Sequence, residues 1–449
     1  MFYDVWEAAS ISVDWYGDDD PANPVNWSGW KKFMIYLTIN YCSMTVYMAA
    51  TIYTVSQTQI EETFDVSTLV AASGVGFFII GYGIGPMFWS PLSEIPSIGR
   101  NIPYVLGMTL FMIISIPTAL AKNIGGLLFL RFLQGLFGSP ILSTGGASLA
   151  DIADLYNKPY SLFTWAISSL AGPSLGTIIA GFTTPVMGWR WSLWLIPIVN
   201  APGLLLFTTY RSESEIKAPN SSLSSRLYAS LIVPWKINAL DPSILFTSLY
   251  MGLLYAIFYS FFEFFPLVYG NIYGMNPGQI GLMFLTVVVS ITVAGVPYAL
   301  YIHFVINRSL RAGTTLTPED RLLPALVASL LIPVGLFLFA WTSRPSIHFM
   351  VPTIGVGLVT GGTILILQCI FVYITLGYPQ FAASLFSGNG FAQAMVAFCG
   401  VLWSHPLYEG LGVAYGMTLM GALCAVCVIG MGVLYYFGHV LRARSRFSA

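Results

Sequence analysis

The sequence predicts an all-α membrane protein whose twelve transmembrane helices form two six-helix halves, and three observations carry that prediction. Of 449 residues, 56% are hydrophobic and only 8% charged, too few solvated side chains to cover an ordinary water-facing surface. About twelve runs reach the roughly twenty apolar residues needed to cross about 30 Å of hydrocarbon. A polar stretch, 211–243, divides those runs six and six, the organisation of two related halves.

The chain opens with a polar segment, 1–32, acidic at Asp18, Asp19 and Asp20 and without a cleavable signal. The first apolar run is therefore expected to act as its own insertion signal. Spans are placed at 33–55, 69–91, 102–120, 125–148, 160–183 and 191–210, each ended where charges, Pro or Gly clusters interrupt the run. These make the first half, 33–210. Within the loop 211–243, the stretch 223–237 mixes Leu, Tyr, Ile and Trp with Arg226 and Lys236, as an amphipathic helix on the inner leaflet would; a solvated linker is the plain alternative. The second half, 244–438, holds spans at 244–269, 279–303, 323–341, 349–374, 381–404 and 412–438, and a tail, 439–449, follows. Tyr, Trp and Phe reach 15%, which suits aromatic belts at both interfaces.

Basic residues orient the spans. With the N-terminus in the cytosol, Lys31, Lys32, Arg100, Lys158, Arg308, Arg311 and Arg321 lie inside with those of the central loop and tail, and only Lys122, Arg190 and Arg344 lie outside. Both termini are expected in the cytosol. The sequons at Asn26, Asn220 and Asn307 all fall on that side, where no glycan is added. The five cysteines, Cys42, Cys369, Cys399, Cys424 and Cys427, sit in apolar runs with no disulfide or metal spacing. No metal, cofactor or nucleic-acid partner is expected. An enzyme would need clustered His, Asp or Cys near one interface, whereas His303, His348, His405 and His439 are scattered. A channel would need a continuous polar pore.

Charges inside lipid-spanning runs cost several kcal/mol and need a reason, and two stand well inside spans. Arg131 shares one helical face with Gln134 and Gly138 by i, i+3, i+7 spacing. Glu263 ends a stripe with Tyr255 and Tyr259 at i, i+4, i+8, expected to face a cavity. Desolvation disfavours a charged carboxyl there, and a nearby Arg131 would offset that. Spacing leaves open whether the two meet, or whether each is a buried charge satisfied by a neighbouring helix.

Two further patterns point to movement. In span five Gly172, Gly176 and Ala180 form a flat stripe and Pro173 removes a backbone donor, as a rocking interface needs; ordinary packing is the alternative. Between spans two and three, Gly85-Pro86 leads to Glu94 and then Gly99-Arg100, a short loop whose acid and base, with Asp151, form a breakable charge network. Tyr255, Tyr259, Gln134, Gln368, Asn389 and Gln393 are the expected aromatic and polar walls of a cavity for amphiphilic substrates.

The segments around Gly85 to Arg100, Arg131 to Gly138 and Gly172 to Gly181 resemble the loop, span-four and antiporter motifs of the twelve-helix drug:proton antiporters of the major facilitator superfamily. Val13-Asp14-Trp15-Tyr16-Gly17, Phe262-Glu263 with Phe265-Pro266, and Gly388-Asn389-Gly390-Phe391 further resemble fungal multidrug exporters of the benomyl and fluconazole resistance type. The chain departs from the pattern at Glu94, where Asp is usual, and at Gln393, where a basic residue is common. The resemblance implies the major facilitator fold and export of drugs, toxins or secondary metabolites, driven by the inward proton gradient through Glu263 and Arg131. It also implies a non-enzymatic plasma-membrane monomer whose partners are small molecules, protons and lipid. A facilitator or importer on the same fold is the alternative.

Overall fold

The computed structural model describes residues 20–21, 23–93, 98–154, 156–209, 236–237, 240–314, 317–378 and 382–445. Val13 to Gly17, Glu94, Asn220 and nearly all of 223–237 lie outside the described residues. Among the described residues no strand occurs, and twelve helices are long and apolar enough to cross a membrane. They are α1 (Gly29–Phe64), α2 (Thr68–Ser93), α3 (Asn101–Ala119), α4 (Ile124–Asp151), α5 (Lys158–Met187) and α6 (Trp189–Phe207) in the first half. The second half holds α7 (Pro242–Ile272), α8 (Pro277–Arg311), α9 (Pro318–Thr342), α10 (Met350–Gly377), α11 (Leu385–Ser404) and α12 (Gly410–Ala443). Large apolar side chains such as Leu205, Val293, Val426 and Ile429 stand exposed on the outside, the surface of a multi-pass protein solvated by lipid.

Helix starts follow from capping chemistry. Asn123 accepts from the Gly126 N–H at 2.6 Å to begin α4, and Asp241 accepts from the N–H groups of Ser243 and Ile244 at 2.9 and 3.3 Å to begin α7, with Pro242 in its first turn. Asn276 and Gln279 form a reciprocal capping box at α8. Tyr378 donates to Asp241 Oδ2 at 2.6 Å; burial first, and this bond second, push the tyrosine pKa up, so the hydroxyl stays a donor and ties the end of α10 to the start of α7.

Several helices outrun the apolar spans. The regular part of α1 ends at Thr51, passes through a 3-10 turn at Thr54–Ser56 and resumes over Gln57–Phe64, stopping at Asp65 in the left-handed region (φ 52°). The polar residues Gln57, Glu61 and Glu62 end the apolar run at 55, yet the helix continues because Gln57 and Ile60 bury against the bundle. Likewise α12 passes 438 to Ala443, where Arg442 pairs with Glu319 at 2.8 Å.

Each half is knit by close helix crossings. A Cβ on either Gly335 of α9 or Gly355 of α10 would lie 2.6 Å from the other's carbonyl oxygen, so only glycine permits that approach. The halves meet along two seams, α2 with α11 through Phe77 and Phe398 (6.2 Å between centroids) and α5 with α8 through Phe163 and Tyr298 (5.1 Å). Between the seams, α1, α4, α7 and α10 face the interior.

Candidate functional site

A cavity of about 520 Å³ lies between the halves. Its deep end is framed by Tyr47 of α1, Tyr82 of α2 and Tyr255 of α7, and its walls by Leu142, Trp165, Leu170, Ile364, Phe371 and Phe386. Its mouth reaches Ser93, Arg100, Asp151 and Lys158. Size and a mostly apolar lining with scattered polar tips suit a small amphiphilic molecule. Of the expected wall residues, Tyr255, Gln368 and Gln393 line it. Gln134 and Asn389 are fully buried away from it: Gln134 donates to Ser115 Oγ at 2.8 Å, and Asn389 accepts from Ser248. Tyr259 is buried one turn deeper, behind Tyr255.

Beyond its deep end the cavity is closed. The stripe on α7 meets the first half turn by turn, Tyr255 against Tyr47, Tyr259 against Tyr82, and Glu263 against Gln57. The rings of Tyr47 and Tyr82 stand 5.8 Å apart and those of Tyr255 and Tyr259 6.3 Å. Gln57 Nε2 donates to Glu263 Oε1 at 3.1 Å, and Glu263 is only 2% exposed. The seam continues where α5 meets α8: a Cβ on Gly281 would lie 3.1 Å from Ile178 Cα, and one on Gly278 2.7 Å from the Phe182 ring. Past Glu263, Pro266 opens a π-helical segment to Ile272, a local widening common at functional helices.

Arg131 is fully buried in the first half. Its guanidinium donates to the carbonyls of Ala49 (2.8 Å), Ala50 (2.8 Å) and Gly74 (3.2 Å) and to Gln134 Oε1 (3.2 Å). The interruption of α1 after Thr51 explains this: the last carbonyls of a helix lack helical donors, and Arg131 supplies them. Phe78 and Tyr53 cover the guanidinium at 4.8 and 5.1 Å. The Tyr53 hydroxyl donates to the Ala71 carbonyl at 2.9 Å, which holds that ring over the guanidinium. Among the described residues Arg131 has no ion pair with a carboxylate.

At the mouth, Gly99 adopts φ 64°, a turn glycine accepts readily, and delivers Arg100 to Asp151 at 2.7 Å. Their side chains remain 30% and 52% exposed, so the pair sits where water enters. Gly85 packs against Ser139 of α4, and Pro86 follows it at the cavity wall. The stripe of α5 packs inside one half: a Cβ on Gly176 would lie 2.7 Å from the Met48 carbonyl oxygen, one on Gly172 would overlap that of Met44, and the Pro173 carbonyl accepts from Thr51 Oγ1 at 2.7 Å. That position corrects the expectation of a rocking surface at Gly172 to Gly176. The contact between halves on α5 begins at Thr177 and Ile178.

Sequence reasoning passed over Gln57, Tyr47 and Tyr82. Gln57 falls just outside an apolar run, and the two tyrosines are isolated polar tips whose pairing with α7 exists only in three dimensions. Lys158 entered only as a topological charge.

Two halves of six helices around a central cavity define a membrane transporter. The description Major Facilitator Superfamily matches residues 38–404, and the chain belongs to that superfamily. Its fungal relatives include the MFS-type transporter pyvG of Aspergillus violaceofuscus, 46% identical over 98% of this chain and 86% of the relative. The cycloheximide resistance protein of Candida maltosa is 34% identical over 98% of this chain and 86% of its own length. Among solved structures, the proton:xylose symporter XylE of E. coli matches with a TM-score of 0.69 at 12% identity, covering 91% of this chain and 97% of that one, a likeness of fold.

Proposed function

We propose that this chain is a proton-coupled antiporter that exports amphiphilic small molecules across the plasma membrane as a monomer, without covalent chemistry. Residues 33–210 and 244–438 are its moving halves, joined by 211–243, with both termini in the cytosol. The relative named for cycloheximide resistance supports export. Arg100, Lys158, Arg308, Arg311 and Arg321 stand at the cavity's mouth end, and by the positive-inside rule that end faces the cytosol. The arrangement described is then the cytosol-facing one.

The observation that carries the reading is Glu263, a carboxyl buried between the halves at the closed outer end and bonded across them to Gln57. Opening that end parts Gln57 from Glu263 and gives the carboxyl to outside water, where the gradient supplies protons. Closing it removes Glu263 from water again, and a neutral acid is far cheaper to bury than a carboxylate. Protonation therefore favours the return to the cytosol-facing form. Release of the proton toward the cavity, past Tyr259 and Tyr255, restores the charge that favours outward opening. Arg131 supports this by holding the broken end of α1, and so Gln57, in place. The Arg100–Asp151 pair, formed within the first half while the mouth is open, fixes the loop after α2 against the end of α4, so that Glu94 on that loop is placed to latch the cytosolic mouth when it closes, and the seam of Gly172, Pro173 and Gly176 lets α1 and α5 move as one body.

Glu263→Gln keeps the shape and mimics only the protonated state. In proteoliposomes it is expected to bind substrate and allow downhill exchange, and to lose concentrative flux together with its pH dependence. If Glu263→Gln still concentrates substrate with the wild-type pH profile, the proton travels by another route.

A further inference from the structure

The deep end of the cavity is built from hydroxyl groups that meet one another. Tyrosines elsewhere in the first half give their hydrogen to a backbone acceptor, Tyr41 to the Val199 carbonyl at 2.6 Å and Tyr53 to that of Ala71 at 2.9 Å. At the deep end, Tyr47 of the first half is instead hydrogen-bonded to Tyr255 of the second, and Tyr82 meets Tyr259. A hydroxyl carries one hydrogen and two lone pairs, so a pair that shares one hydrogen keeps the other to spare. Tyr47, Tyr82 and Tyr255 all line the cavity, where a spare hydrogen can be used. Ser169 adds a further donor: it lines the cavity, is 8% exposed, and its Oγ has no hydrogen-bond partner among the described residues. It stands three residues before Gly172, where an added Cβ would lie 3.1 Å from Tyr47 Cβ, so it belongs to the same end of the cavity. A buried donor left without an acceptor is costly, and a ligand that brings one recovers that cost.

Hydroxyls supply single bonds and no counter-charge, so the polar end they suit is a neutral acceptor, whose desolvation one or two bonds offset. Apolar and aromatic faces from Leu142, Leu170, Phe371 and Phe386 suit the hydrophobic body behind it. From this geometry we infer that the deep end is a hydrogen-bond-donating subsite that takes the carbonyl oxygen of an uncharged amphiphile, a ketone, lactone or amide. The inference rests on the reading of this cavity as the substrate site and deepens it, because the acceptor lands on the joint between the halves. Tyr47 and Tyr255 meet hydroxyl to hydroxyl rather than ring to ring, which argues against the opposite use of such rings, a cage of aromatic faces around an organic cation.

Three naphthalene probes of nearly one shape test it: 2-acetylnaphthalene, 2-isopropenylnaphthalene, in which a methylene replaces the carbonyl oxygen, and 1-(2-naphthyl)ethylammonium. Binding to the purified full chain in an uncharged detergent, corrected for partition into micelles, should favour the ketone over the alkene by about fivefold or more. Removing one hydroxyl of the Tyr47 and Tyr255 pair frees the hydrogen of the other, so the variant to compare is the double one, Tyr47→Phe with Tyr255→Phe, which keeps both rings. It should lower the ketone-to-alkene affinity ratio about threefold or more. Tyr41→Phe, whose hydroxyl bonds the Val199 carbonyl outside the cavity lining, should leave the ratio unchanged. Because the readout is a ratio within each variant, a partial loss of folded protein does not imitate the effect. Equal binding of ketone and alkene, an unchanged ratio in the double variant, an equal fall in Tyr41→Phe, or tighter binding of the ammonium than of the ketone overturns the inference. Flux of the same probes in proteoliposomes keeps the two readings apart: acceptor-selective binding without gradient-driven flux sinks the transporter reading and leaves the subsite standing.

Discussion

Arg131 and Glu263 draw attention for one reason, a charge inside a lipid-spanning run, but they meet different surroundings. Arg131 is closed in by backbone carbonyls, and Glu263 spans the joint between halves. Arg131→Lys keeps the charge and loses the planar fork that reaches Ala49, Ala50, Gly74 and Gln134 together. Each bond to a charged donor is worth about 1.5 to 3 kcal/mol, so a lower thermal midpoint in detergent is expected, with flux reduced alike at every pH. Wild-type stability with a displaced pH profile would instead assign Arg131 to proton handling. At this scale the sequence reveals which residues are costly to bury, because cost depends on the residue and the length of the run. It does not reveal their partners. Gln134 and Asn389 look like cavity residues until Ser115 and Ser248 are found beside them.

At the scale of the element, apolar runs locate all twelve helices, because each must satisfy its backbone within itself in lipid. Their ends are less legible, since the last turns of α1 and α12 are polar and held by burial and by the Arg442–Glu319 pair. The small-residue stripe of α5 is legible as a close-packing surface, yet its partner is α1 of the same half. Two glycine substitutions follow this distinction. Gly176→Leu drives a side chain into Met48 and Thr51, and overpacking of about 1 to 3 kcal/mol should appear as lost stability of the first half and lower yield. Gly281→Leu presses instead on Thr177 and Ile178 across the joint, so it should leave the thermal midpoint nearer wild type while raising thiol labelling of a cysteine placed at Gln57. Equal destabilisation by both would mean that the halves form one rigid unit.

At the scale of the whole molecule, the cavity opens at the Arg100 end and is shut at the Gln57 end by contacts drawn from both halves. Alternating access requires those contacts to part as the mouth closes. Phe182 and Gly278 sit at the shut end, outside the cavity lining, and that separates binding from movement. In a background with Cys42, Cys369, Cys399, Cys424 and Cys427 replaced by Ala, the pair Phe182→Cys and Gly278→Cys can be joined by a short bifunctional methanethiosulfonate. The cross-link should stop flux in proteoliposomes, reductant should restore it, and a transported substrate should still bind, because the mouth stays open. Full cross-linking with undiminished flux would show that the halves never separate at this end. The substrate path would then have to leave sideways between helices, and Glu263 would stay sealed from outside water throughout the cycle.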